Sequence, residues 1–294
     1  MARWTAADVP DQSGRIAVVT GANAGLGLET ARVLAARGAT VVLACRDTAK
    51  AEAIPGACVV ELDLASLASI RAAAETIRST CPRLDLLINN AGVMNVPFQH
   101  TEDGFELTFG TNHLGHFAFT GLLLEQLLRT AGSRVVTVTS NAHRRGRLDV
   151  DQEYDAGAAY DRSKLANLLF AYELQHRLEA VGGTTASLAA HPGNARTDLW
   201  RTSSRLERVL IGRALRPVNF WLAQDARRGA LPQLRAATDK SARGGECYGP
   251  DGWFQYAGSP VKVRTSPSSY DREAAKRLWT LSEQLTEVSY PVTA

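Results

Sequence analysis

The 294 residues carry 33 basic and 30 acidic side chains, a net charge of +3, with 45% apolar and 21% charged residues. These are the proportions of an ordinary globular chain with enough apolar material for a sizeable core. Nothing in the overall charge points to nucleic acid or to a membrane surface as partner.

The first fifteen residues, MARWTAADVPDQSGR, contain no apolar h-region, so no signal peptide is expected. The longest uncharged stretch, Leu107 to Leu124, holds Asn112, His113 and His116, which reads as a buried helix, not a membrane span. The expectation is a soluble, cytoplasmic protein. Cys45, Cys58, Cys81 and Cys247 show neither C-x-x-C nor metal-ligand spacing. Small buried thiols in a reducing compartment account for them.

Short β-branched runs alternate with helical patterns, as in βαβ units around a parallel sheet. The runs are IAVVT (16–20), TVVLAC (40–45), CVVEL (58–62), LDLLINN (84–90), RVVTVTS (134–140) and TASLAA (185–190). No repeat or linker divides the first part of the chain, so the expected fold is α/β, a doubly wound parallel sheet (Rossmann-like) in a single domain. The connection through Ile54, Pro55 and Gly56 is brief and leaves room for only a short helical turn.

The first run leads into Thr20-Gly21-Ala22-Asn23-Ala24-Gly25-Leu26-Gly27. A strand, a turn that lets a ligand approach the backbone, and a helix N-terminus form a place for a pyrophosphate. The spacing is G-x-x-x-G-x-G, not the commoner G-x-G-x-x-G. At the end of the second run stand Cys45, Arg46 and Asp47. An acid there suits the ribose hydroxyls of NAD(H), an arginine the 2′-phosphate of NADP(H). Arg46 tilts the choice to NADP(H). Asp47 either neutralises Arg46, reaches the ribose itself or caps the next helix.

Asp63-Leu64 and Asn89-Asn90-Ala91-Gly92 follow the third and fourth runs, where open α/β sheets bind ligands. Farther on, Ser140 ends the fifth run. Tyr160 and Lys164 then lie one turn apart on one face of the pattern AAYDRSKLANLLFAYELQHRL. A tyrosine, with an ordinary pKa of about 10, is a poor base near neutrality, and a fixed cation is one of few ways to improve it.

These ordered motifs, TGxxxGxG, NNAG, Ser and YxxxK, resemble those of the short-chain dehydrogenase/reductase family, and the resemblance spans nearly the whole chain. It implies an oxidoreductase that transfers a hydride between NADP(H) and a carbonyl/alcohol substrate. It also implies a catalytic tetrad of Asn112, Ser140, Tyr160 and Lys164. In it Ser140 orients the reacting oxygen, Tyr160 moves its proton, Lys164 binds the nicotinamide ribose and depresses the Tyr160 pKa, and Asn112 anchors a water that continues the relay. The implied cofactor-binding residues are Gly21, Asn23, Gly25, Leu26, Gly27, Arg46, Asp63, Leu64, Asn90, Ala91, Gly92, Tyr160, Lys164, Pro192, Gly193 and Thr197. The last three come from HPGNARTDL, which matches the family's PGxxxT, with Asn194 and Ala195 where an apolar residue is expected.

The interval from Ser140 to Tyr160 is longer than usual in the family. With ACRD, HPG and the late LWTLSEQL, it resembles the branch of retinol dehydrogenases and protochlorophyllide reductases. Arg144, Arg145 and Arg147 in that interval read as a solvated loop. No N-terminal membrane anchor is apparent in the chain, which argues against a retinoid delivered by a membrane. Residues 196–228 carry eight arginines and three acids among apolar and aromatic side chains, including Trp200, Phe220 and Trp221. By resemblance this segment covers a lipophilic or partly anionic substrate; an amphipathic helix on the sheet is the plainer alternative.

His113 and His116 share a helical face without a third ligand, so no metal is expected and both are read as packed near Asn112. A final strand in ECYGPDGWFQY and a surface helix over 272–285 complete the chain. The resemblance further implies a homodimer through the helices of Asn112 and Tyr160. Two other functions stay open: a catalytically idle nucleotide-sensing or scaffold protein, which the intact tetrad disfavours, and a carbon–carbon double-bond reductase.

Overall fold

A computed structural model describes residues 3–51, 54–148, 153–194 and 224–292. Eight strands form one sheet in the order β3-β2-β1-β4-β5-β6-β7-β8. They are β1 (Ile16–Thr20), β2 (Thr40–Cys45), β3 (Cys58–Glu61), β4 (Leu86–Asn89), β5 (Arg134–Val138), β6 (Ala186–Ala190), β7 (Cys247–Pro250) and β8 (Pro260–Val263). The first seven run parallel, and β8 returns antiparallel to β7. The doubly wound single domain is therefore present, with one antiparallel edge strand that the sequence pattern does not announce. PVKV (260–263) is too short and too polar to stand out as a strand without its partner.

Side chains on a strand point alternately to the two faces of the sheet. Val18, Val42, Leu87 and Val135 face one core, shared with α2 (Leu67–Thr80), α4 (Gly115–Leu128) and α5 (Ala156–Ala180). Their neighbours Ala17, Val19, Val41, Leu43, Leu86, Ile88 and Val136 face the other, shared with α1 (Gly25–Ala36) and α7 (Leu231–Thr238). Both faces are covered, which explains why these strands read as continuous apolar runs. A short α6 (Ala226–Gly229) precedes α7, and α8 (Arg272–Thr286) closes the chain. Only a 3-10 turn, Thr48–Lys50, is assigned in the described part of the link between β2 and β3, as the brief connection suggested.

The long uncharged stretch is indeed a buried helix. It enters as α3 (Leu107–Phe109), widens into a π-helical turn over Gly110–Leu114 and continues as α4. No helix among the described residues is long and apolar enough to cross a membrane.

The faces expected to carry a homodimer are partly occupied by the chain itself. Trp279 of α8 packs between Phe117 and Phe170, at 5.1 and 5.9 Å between ring centres. Tyr290 beyond it donates to the Phe117 carbonyl at 2.6 Å. The expectation of buried thiols fails at Cys58, which is exposed at the sheet edge, whereas Cys45, Cys81 and Cys247 are buried.

Candidate active site

The glycine turn follows β1 directly. Gly21 and Gly25 hold φ of 67° and 55°, left-handed values that a side chain disfavours. Gly27 is required for close packing instead, because a Cβ there would lie 2.4 Å from the Gly21 carbonyl oxygen and 2.6 Å from the Asn90 amide. It lets α1 close against the turn. No side chain caps α1, whose N-cap is Ala24, and no acid stands in its first turn. The first amides of α1 thus remain available to an anion, which fits a dinucleotide pyrophosphate.

A cleft of about 290 Å³ opens beside this turn, lined by Gly21, Asn23, Arg46, Asp63, Leu64, Ala91 and Gly92, among others. Arg46 is exposed on its wall. Asp47 pairs with Lys50 from the next turn, so it neither neutralises Arg46 nor caps the turn with its side chain. A second cavity, of about 440 Å³, shares Gly92 with the cleft and is lined by Leu26, Asn90, Ser140, Tyr160, Lys164, Pro192 and Gly193 among others. Thr197, Ala195 and most of the 196–228 segment lie outside the described residues.

Three members of the expected tetrad meet on the wall of this second cavity. Ser140, just past β5, accepts from the Ala142 amide at 3.3 Å and hydrogen-bonds Tyr160. Burial pushes the Tyr160 phenol up to about 12; the Ser140 hydrogen bond offsets part of this, and the adjacent Asp161 carboxylate adds to it. Lys164, one turn along α5, has its ammonium 5.5 Å from the centre of the Tyr160 ring and donates to the Val138 carbonyl at 3.3 Å. Burial lowers its pKa to about 8. The lysine is turned to the end of β5, and Ser140 is the group that favours the phenolate.

The fourth member stands behind the wall. Asn112 sits in the π-helical turn, fully buried. Its amide oxygen accepts from the Val93 amide at 2.8 Å, and its nitrogen donates to the Val93 carbonyl and to Ser163 Oγ at 2.9 and 3.0 Å. Its backbone carbonyl accepts from His116 Nδ1 at 3.0 Å. Each of these Asn112 atoms has a protein partner.

Sequence reasoning missed several residues that hold these parts in place. Thr20 Oγ1 accepts from the amides of Asn90 and Ala91 at 2.9 and 3.0 Å and meets His116 Nε2 at 2.9 Å. Gln233 of α7 donates to the Asn90 side chain at 3.2 Å. His143 donates through Nδ1 to the Ser140 carbonyl at 2.5 Å and accepts from the Ser266 amide. His191 meets Gln255 at 3.0 Å, drawing the loop after β7 onto the HPG turn. That loop holds Phe254 and Gln255 at φ of 47° and 58° and displays Trp253 and Phe254 beside Tyr256, a lining residue of the second cavity. His113 and His116 are both buried close to Asn112 in the chain, as their shared face suggested. No metal-binding cluster occurs among the described residues.

A cleft fit for a dinucleotide, joined at Gly92 to a Ser–Tyr–Lys wall, decides the family together with the comparisons. Residues 15–207 match the short chain dehydrogenase model.

The chain belongs to the short-chain dehydrogenase family.

This short-chain dehydrogenase is 41% identical over 290 residues to retinol dehydrogenase 13 of Mus musculus, covering 92% of the chain and 84% of that protein. Identity to retinol dehydrogenase 12 of Homo sapiens is 41% over 292 residues, covering 94% and 88%. A crystal structure of a Mycobacterium paratuberculosis protein superposes with a TM-score of 0.83 at 44% identity, covering 99% of this chain and 100% of that one. The chain is thus an NAD(P)-dependent short-chain dehydrogenase of the retinol dehydrogenase-like branch, an oxidoreductase that transfers a hydride.

Proposed function

We propose that this enzyme interconverts a lipophilic carbonyl compound and its alcohol with NADP(H) as the preferred cofactor. The observation that carries the reading is the convergence of Ser140, Tyr160 and Lys164 on a cavity that shares Gly92 with the Arg46 cleft. The bound nicotinamide supplies or accepts the hydride.

The chain's own residues supply position and proton. Ser140 orients the reacting oxygen, and Tyr160 gives its proton in reduction or takes it in oxidation. Lys164 holds the nicotinamide ribose, and Ser140 is the group that favours the phenolate. Asn112 acts by positioning, since its side chain locks Val93, next to Gly92, onto the π-helical turn. Gly21, Gly25 and the open start of α1 hold the pyrophosphate, and Asp63 and Leu64 the adenine end. Arg46 favours the 2′-phosphate because Lys50 occupies Asp47, the acid that would otherwise suit NAD(H). Met94, Ala142 and Tyr256 on the cavity wall, with Trp253 and Phe254 beside them, support an apolar substrate.

The test follows NADPH and NADH oxidation over a panel of aldehydes, ketones, quinones and enones, with Tyr160→Phe in parallel. Turnover of an apolar aldehyde with NADPH, lost in the variant, is the expected result. Cofactor binding without turnover of any panel member favours the idle sensor, and saturation of an enone double bond favours the carbon–carbon reductase.

A further inference from the structure

Arg145, expected in a solvated loop, grips α5 instead. Its Nε and Nη2 donate to Asp161 Oδ2 and Oδ1, both at 2.8 Å, a two-bond fork on the residue that follows Tyr160. The approach depends on Gly146. A Cβ there would stand 2.5 Å from the Asp161 carbonyl oxygen and 2.7 Å from Leu165 Cβ, so only glycine lets the segment touch the helix. Leu148 continues the contact, packing against the cluster that Leu165 and Leu169 form with Ala166, Ala275 and Leu278. Arg145 and Asp161 both line the cavity that holds Tyr160 and Ser140.

Asp161 is 8% exposed. A carboxylate beside a tyrosine opposes the negative charge that the tyrosine bears as a phenolate. A bidentate guanidinium is the geometry that best cancels it.

We propose that Arg145 is a positioning residue that masks part of the Asp161 charge, so that proton transfer at Tyr160 proceeds against less of that opposition. The charged and titratable groups around this point are few. Lys164 and Asp161 belong to α5, Arg145 comes from the segment after β5, and Asp155 stands at the start of α5 and acts on Asp161. Ser140 is the neutral partner. Arg162 points elsewhere, to Glu106. The inference rests on the reading of Tyr160 as the proton donor and acceptor.

Two readouts test it: the ζ-13C resonance of Tyr160 in labelled protein, assigned by its loss in Tyr160→Phe, and the pH profile of 1-decanol oxidation with NADP+. Arg145→Gln leaves the Asp161 carboxylate uncancelled and is expected to raise both inflections. Asp161→Asn lowers them, and the double variant returns them to the wild-type position. Because the Arg145 side chain is largely exposed, screening limits each shift to about half a pH unit. Arg145→Lys, which keeps the charge, is expected to restore the wild-type inflections even where thermal stability stays lower. A drop in rate with both inflections unmoved in Arg145→Gln and Asp161→Asn would mean a structural contact only and would overturn the proposal. Undiminished decanol oxidation by Tyr160→Phe overturns the Tyr160 reading itself, and this inference with it.

Discussion

The imidazole of His116 accepts the Thr20 hydroxyl's hydrogen bond at 2.9 Å, joining two parts of the site 96 positions apart in sequence. Its other nitrogen, Nδ1, faces the Asn112 carbonyl and so must carry the proton, which fixes the neutral tautomer. One ring thereby ties the π-helical turn to the threonine that also holds the amides of Asn90 and Ala91. His116→Ala strands two buried polar groups and is expected to cost about 2–4 kcal/mol. The KM for cofactor rises with it, because both walls of the cleft lose their common anchor. Thermal melting and cofactor titration check this; an unchanged KM in a folded variant contradicts it.

Tyr160→Phe removes the proton donor while leaving the ring in place. The expected loss in kcat is about 10²–10⁴-fold, with cofactor affinity nearly unchanged. Steady-state kinetics beside fluorescence titration with NADPH separates the two quantities.

Arg46→Ala is expected to weaken NADPH by roughly tenfold and NADH far less, since only the former offers a phosphate to the guanidinium. Lys50→Ala frees Asp47 and moves the preference in the same direction. Comparison of kcat/KM for the two cofactors decides; equal losses for both would remove Arg46 from the 2′-phosphate reading.

Acid weakens this fold through its histidines. Burial lowers His113 and His191 to about 3 and His116 and His143 to about 4, against an ordinary 6.5. Below pH 6.5 the unfolded chain takes up protons that the folded chain refuses, so stability falls with pH until the folded values are reached. At pH 5 each histidine contributes up to about 2 kcal/mol to that loss. Melting temperature measured from pH 7.5 to 5 is expected to fall steadily, and His143→Gln, which keeps an amide able to bond, is expected to flatten part of the slope. A constant melting temperature over that range excludes the mechanism.

Most of the architecture was legible because its signals are local. Continuous β-branched runs, glycine turns and the four-residue step from Tyr160 to Lys164 act within one element, and the six expected strands lie where the β-branched runs stand. What escaped depended on partners far along the chain. The stretch 260–263 becomes a strand only beside β7, and the contact between Trp279 and Phe117 joins α8 to α4. Arg145 looks like a loop charge until Gly146 brings it to Asp161. The partners of Asn112 show only once the fold presents Val93, Ser163 and His116 to it.

By itself, then, the amino-acid order determined the α/β class and the dinucleotide turn, which follow from propensity and spacing that neighbouring residues enforce, while Ser140, Tyr160 and Lys164 were singled out by the family resemblance. Only the tertiary structure decided where Lys164 points, what occupies Asn112 and which acid Arg145 cancels. Hydrogen bonds and charge pairs between distant segments depend on ångström-scale placement, and that placement comes from packing the whole core.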